Sequence, residues 1–280
     1  MDAPHIPARF VHEVDQHLVF NFAGVEAWPL VLGVFGRPGD GKSFQIRTHL
    51  TRQGVSCVSI NAADLESDRA GQPGKLVLAK YEDTGHRTSE GFPAALLVDD
   101  FDTTVGEWDQ STTTVNHQQV LAQLMHLADV PTEAGGKPLQ RIPVFVTGND
   151  LSKVYPPLRR PGRMRTFRWM PSDEERKAIV AAILGELLEP EDTTTLLAKL
   201  PDAPIAFFSD LRVEIVAASA TDEIRRQVQD LPSVTRNAEH SLKALEKCMK
   251  SHKLSATEVE TLALAVWNDR LLATTSHVNE

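Results

Sequence analysis

Eight residues, Gly36-Arg37-Pro38-Gly39-Asp40-Gly41-Lys42-Ser43, constrain this chain more than any others. They satisfy the spacing G-x-x-x-x-G-K-[ST]. An apolar run at 29–35 precedes them and reads as a buried parallel strand, and a helical pattern at 44–50 follows. Strand, glycine-rich loop and helix in that order make a phosphate cradle. The glycines let the backbone bend so that its N–H groups and the start of the next helix face a polyphosphate. Lys42 adds positive charge near the β and γ oxygens, and Ser43 offers a hydroxyl ligand to Mg2+. A nucleoside triphosphate is the expected ligand of residues 36–43.

The 280 residues allow one large or two ordinary domains, and 41% hydrophobic content is enough for a core. A net charge of −9 argues against a nucleic-acid partner, because phosphate-backbone binders gather lysine and arginine to release counterions. Cys57 and Cys248 stand far apart and outside any ligand or redox spacing. That pattern disfavours a disulfide framework or a zinc site and suits a reducing cytoplasm. No apolar run approaches bilayer length and the first residues lack a signal-peptide plan, so a cytoplasmic protein with no membrane partner is expected.

Apolar runs at 29–35, 55–60, 94–98 and 142–147 alternate with helical stretches, which predicts a parallel sheet flanked by helices. A helix over 116–128 carries Val120, Leu121, Leu124, Met125 and Leu127 on one face, and 131–138 reads as a loop. Beyond Met170 the texture turns helical. Ser172 and Glu175 form a capping box opening a helix through residue 188, and Ser255 and Glu258 open another. Residues 204–218, 222–230 and 237–250 also read as helices. A boundary near Met170-Pro171 therefore divides an α/β nucleotide domain from a smaller, all-helical one.

Two strand ends carry polar residues beside the cradle. Leu96-Leu97-Val98-Asp99-Asp100 ends an apolar strand in two acids: Asp99 can hold magnesium through water and Asp100 can orient attacking water as a base. The plain alternative is an acidic turn over 99–102. Val146-Thr147-Gly148-Asn149-Asp150 places an asparagine at the same edge, where it either positions water against the γ-phosphate or caps a turn. The segment Leu158-Arg159-Arg160-Pro161-Gly162-Arg163-Met164 follows.

With that segment the chain resembles the AAA+ ATPases, and within them the rubisco activases. The resemblance spans about residues 17–230 and includes Gly41-Lys-Ser-Phe-Gln45, residues 64–75, 112–116 and 124–132, Val146-Thr-Gly-Asn-Asp150 and Pro204-Ile-Ala-Phe-Phe-Ser-Asp-Leu-Arg212. It implies an α/β P-loop NTPase fold of the AAA+ type with a helical lid: a short extension at 1–16, the nucleotide domain at 17–170, the lid at 171–280. It implies ATP and Mg2+ as ligands, ATP hydrolysis as the activity, and assembly into a homo-oligomeric ring of six. Arg160 and Arg163 are implied to reach the γ-phosphate of the neighbouring subunit, and Arg212 to act as a second sensor from the lid. The alternative for all three is a surface arginine.

Three departures qualify the resemblance. Rubisco activases generally place an asparagine before the acid that ends this strand, the Walker B acid, whereas Asp99-Asp100 is closer to the common AAA+ acidic pair and supports an active ATPase. Plant-type and green-type activases carry a substantial domain ahead of the core, whose contribution is expected here to be missing or supplied elsewhere. The family's pore loop carries a tyrosine in a Gly-Gly-Thr-Thr stretch; here Trp108, flanked by Glu107 and Asp109, either replaces that aromatic grip or packs in the loop. The expected function is a ring motor remodelling a protein client, rubisco or some other assembly. A nucleic-acid loader or a non-hydrolysing scaffold fits the residues less well.

Overall fold

Three of the four apolar runs become strands buried on both faces, the pattern that a parallel sheet covered by helices demands, and the fourth, at 55–60, becomes a half-buried edge strand. In the computed structural model, which describes residues 4–65, 72–104, 115–134, 137–251 and 253–276, the chain forms two compact units that meet at Met170 and Pro171. The first holds α1 (Ala8–Phe22), β1 (Val31–Phe35), α2 (Lys42–Arg52), β2 (Ser56–Ile60), α3 (Ala62–Leu65), α4 (Gln72–Ser89), β3 (Ala94–Val98) and α5 (Phe101–Thr104). It continues through α6 (Val115–Asp129), β4 (Glu133–Ala134), β5 (Lys137–Pro138), β6 (Val144–Gly148) and β7 (Met164–Arg168).

Five strands make one parallel sheet in the order β2-β3-β6-β1-β7. The chain leaves β1 for the far edge at β2 and returns through β3. Strand β6 is thereby inserted beside β1, so the carboxyl ends of β1, β6 and β3 lie side by side. Ligands of open parallel sheets bind at such a place. Helices α4 and α6 pack together over one face. Tyr81, Leu96, Val98, Phe101, Leu124, Val144 and Val146 are fully buried in the core beneath them.

Several elements depart from the sequence reading. Strand β7 was not expected, because Met-Arg-Thr-Phe-Arg alternates like an edge strand, with Met164 and Phe167 buried and Thr166 and Arg168 exposed. The expected loop at 131–138 contains the antiparallel pair β4 and β5. Helix α1 runs through the expected boundary at 16 and 17: Phe10, Val14, His17 and Leu18 are buried, and Phe10 packs edge-on against Phe167 and Trp169. The chain from Ile6 thus belongs to the α/β unit. Residues 105–114, including Trp108, lie outside the described residues, as do 66–71 of the quoted 64–75 stretch.

The second unit comprises α7 (Asp173–Leu184), α8 (Pro190–Lys199), α9 (Ile205–Ser219), α10 (Thr221–Gln227), α11 (Leu231–Arg236), α12 (Ala238–Ser251) and α13 (Ala256–Ser276). The capping box at Ser172 and Glu175 is formed in both directions, and Ser255 with Glu258 repeats the arrangement before α13. Helix α7 stops at Leu184 rather than 188, because Gly185 takes a φ of 53 and closes the helix with a hydrogen bond to Ala181. Val180, Leu184, Leu196, Phe207, Phe208 and Leu211 form the core, with Trp267 edge-on to Phe207.

Candidate active site

The loop between β1 and α2 is shaped by what surrounds it. A Cβ on Gly36 would stand 2.0 Å from the carbonyl oxygen of Trp169, whose own N–H is bound to Phe35 O at 2.6 Å. Only glycine fits between those backbones. Gly41 caps α2 with a φ of 76, a left-handed conformation that favours glycine. Trp169 Nε1 donates to Asp40 O at 2.8 Å and pins the loop from below, while Arg37, Pro38 and Gly39 form its exposed tip.

Lys42 is 6% exposed, and its ammonium donates to Gly36 O, Arg37 O and Asn149 Oδ1, each at 2.9 Å. The strand-end asparagine is thus joined directly to the loop lysine. Burial lowers the Lys42 pKa, opposed by the charges of Asp40, Asp100, Asp102 and Asp99. Ser43 Oγ donates to Asp99 Oδ1, and so does Thr147 Oγ1; the two hydroxyls lie 3.2 Å apart. Arg47 Nη2 meets the other oxygen of Asp99 at 2.7 Å. Burial pushes the Asp99 carboxyl up, but the hydrogen bonds from Ser43, Thr147 and Arg47 outweigh it and hold the group below its ordinary range.

Asp100 is the one non-glycine residue with positive φ among those described, at 50. Aspartate tolerates this better than most residues, and such strain concentrates at functional sites. Its N–H donates to Thr147 Oγ1 at 3.3 Å. Burial, then the neighbouring Asp99 charge, raise its pKa, and Lys42 only partly offsets them. Adjacent carboxyls are therefore driven apart: Asp99 stays ionised, and Asp100 is the stronger base.

Two residues of this site escaped the sequence reading. Thr147, fully buried, links the hydroxyl of Ser43, the carboxylate of Asp99 and the backbone of Asp100. Asp102, 3% exposed, accepts the N–H groups of Asn149 and Asp150 at 2.8 Å each and so fixes the turn that aims Asn149. The signal for Thr147 was its place two residues before Asn149. For Asp102 it was the third acid of the turn at 99–102.

The arginines stand elsewhere. Met164, next after Arg163, pairs with Val31 at the start of β1, and Val31 N–H donates to Arg163 O. The turn carrying Arg160 and Arg163 is therefore at the far end of β1 from the loop, on the order of 13 Å along the strand. Arg160 is exposed, and its side chain has no hydrogen bond or ion pair among the described residues. Arg163 is engaged: Nε and Nη2 make a bidentate pair with Asp129 at 2.7 Å each, and Nη1 donates to Pro157 O at 3.0 Å. Arg212 lies in the helical unit, where Nη1 donates to Ile183 O at 2.7 Å and Leu184 O at 3.1 Å and caps the end of α7.

The residues present fit a nucleotide with magnesium. A hydroxyl and a carboxylate already in contact are hard oxygen donors of the kind Mg2+ takes alongside water and phosphate. Among the described residues no cluster of three His, Cys, Asp or Glu suggests another metal, and no helix is long and apolar enough to cross a membrane.

The sequence profile of the ATPase family associated with various cellular activities (AAA) matches residues 32–172. Curated relatives include ribulose bisphosphate carboxylase/oxygenase activase of Anabaena sp., 38% identical over 234 residues, 79% of this chain and 56% of the relative. The chloroplastic activase of Arabidopsis thaliana is 34% identical over 241 residues, 82% of this chain and 50% of the relative. That of Zea mays is 34% identical over 240 residues, 82% and 54%. The chain spans about half the length of the curated relatives it matches.

Proposed function

Because this chain belongs to the ATPase family associated with various cellular activities (AAA), we propose that the cleft at the ends of β1, β3 and β6 binds ATP with Mg2+ and hydrolyses it between two copies of the chain. Residues 36–43 hold the phosphates through backbone N–H groups, with Lys42 as the fixed cation. Ser43 and Asp99 hold Mg2+, which supplies charge neutralisation to the phosphates. Asp100 takes the proton of the attacking water, and Asn149, braced by Lys42 and Asp102, orients that water.

The observation that carries the intersubunit part is the position of Arg160 at the opposite end of β1 from the loop of its own chain. An exposed, unengaged guanidinium there can stabilise charge developing on a phosphoryl group only across an interface. Arg163, tied to Asp129, serves instead to hold the turn that presents Arg160. Arg212 fastens α7 to α9 within the helical unit. A homo-oligomeric ring, six subunits in the first instance, supplies the interfaces.

Similarity to rubisco activases supports a protein client, with rubisco first. A second reading keeps the motor and changes the client, favoured by Trp108 between Glu107 and Asp109 where activases carry a tyrosine loop. Phosphate release and fluorescent-nucleotide binding test the chemistry. Asp100→Asn should bind ATP as the wild type does yet release phosphate at least about a hundredfold more slowly; normal turnover would remove Asp100 as base. Recovery of carboxylation by rubisco blocked with a sugar phosphate, dependent on ATP and this chain, separates the clients. No recovery beside robust ATP turnover favours the second reading.

A further inference from the structure

The role of Arg47 is not explained by phosphate capture or water activation. It lies on α2 four residues after Ser43, hence on the same helix face. Its guanidinium is fixed at two points: Nη2 on Asp99 Oδ2 at 2.7 Å and Nη1 on Ser59 Oγ of β2 at 2.5 Å. The other oxygen of Asp99 already receives Ser43 and Thr147. The carboxylate assigned to magnesium therefore carries a permanent cation.

That arrangement has a cost and a use. Guanidinium is a delocalised cation, and its rigid fork is held here at both points at once. A dication binding to the same carboxylate is repelled by it, and the Arg47 side chain, 40% exposed, softens that repulsion through solvent without abolishing it. In exchange, Asp99, 16% exposed, is never a lone buried charge before metal arrives.

We infer that Arg47 is a built-in countercharge which competes with Mg2+ for Asp99 and thereby sets the magnesium concentration at which this site takes up nucleotide. The inference rests on the reading of the cleft as an ATP and magnesium site. It predicts that this chain requires more free Mg2+ than the Ser43 and Asp99 pair alone would need.

The test is equilibrium binding of a fluorescent ATP analogue to the full chain across a series of buffered free Mg2+ concentrations. Wild type, Arg47→Met and Arg47→Lys are compared, with thermal melts to establish that each is folded. Arg47→Met keeps the apolar stem and removes the charge. Its half-effect magnesium concentration should fall on the order of tenfold, the scale of repulsion between a unit charge and a dication in water-like surroundings. The gap between its affinity at saturating Mg2+ and in chelator should widen, and Arg47→Lys should stay close to wild type. An unchanged magnesium midpoint in folded Arg47→Met overturns the inference. So does a raised one, which would make Arg47 solely an orienting group for Asp99. Wild type that binds no analogue at any Mg2+ concentration overturns the nucleotide reading itself, a distinct result.

Discussion

Gly36 and Asp102 carry the sharpest residue-scale consequences. Replacing Gly36 with alanine drives a methyl into the Trp169 carbonyl, so β1 and β7 must part where the loop begins. Gly36→Ala should cost about 1–3 kcal/mol in urea unfolding and abolish binding of a fluorescent nucleotide; a variant of wild-type stability and affinity would show the close approach to be relaxed. Asp102→Ala strands two backbone donors, at about 1–3 kcal/mol each, and releases Asn149. Its kcat should fall while KM for ATP changes little, and an equal loss in both would place Asp102 in binding instead. The loop, Asp99, Asp100 and Asn149 were legible in sequence because each belongs to a local pattern: glycines at fixed spacing, or a polar residue ending an apolar strand. The bonds of Asp102 to Asn149 and of Arg163 to Asp129 were not, because only the fold brings those partners near.

At the scale of elements, the strand ends and caps followed from apolar periodicity, whereas α1 and β7 did not. Their pairing explains why: Arg165 of β7 is bidentate with Glu13 of α1 and stacks over Trp28, so polar residues do the joining. Deeper along α1, His17 Nε2 donates to Val144 O while its Nδ1 accepts from Trp28 Nε1. Asn21 beside it accepts from the buried Arg141. Burial, assisted by the Arg141 charge, overrides the hydrogen bond to Val144 and lowers the His17 pKa to about 3. A proton on Nδ1 would meet the Trp28 donor head-on. Since the folded-state pKa lies below the ordinary value of 6.5, the stabilisation is complete above pH 6.5 and is lost as pH falls towards 3. Between about pH 7.5 and about pH 5, wild type should lose about 2 kcal/mol more than His17→Gln in denaturant unfolding. Parallel losses would mean that His17 is protonated in the folded chain. In the helical unit, Phe207→Ala removes a ring packed on both Phe208 and Trp267 and should cost about 3–5 kcal/mol by the same measurement.

For the whole molecule, alternating strand and helix gave the parallel sheet, and the change of texture after Met170 coincides with the division into two compact units. What no local pattern could supply is that Arg160 projects from the end of the sheet opposite its own phosphate loop. Under the proposed function, one site draws on two copies of the chain. Mixing two inactive variants tests this most directly. Lys42→Ala loses the phosphate loop and keeps Arg160, while Arg160→Ala keeps the loop and loses the arginine. Each alone should release little phosphate, and an equimolar mixture should regain a substantial part of the wild-type rate, rising with total protein concentration. A mixture no more active than the sum of its parts, or Arg160→Ala turning over at the wild-type rate, would contradict a shared site.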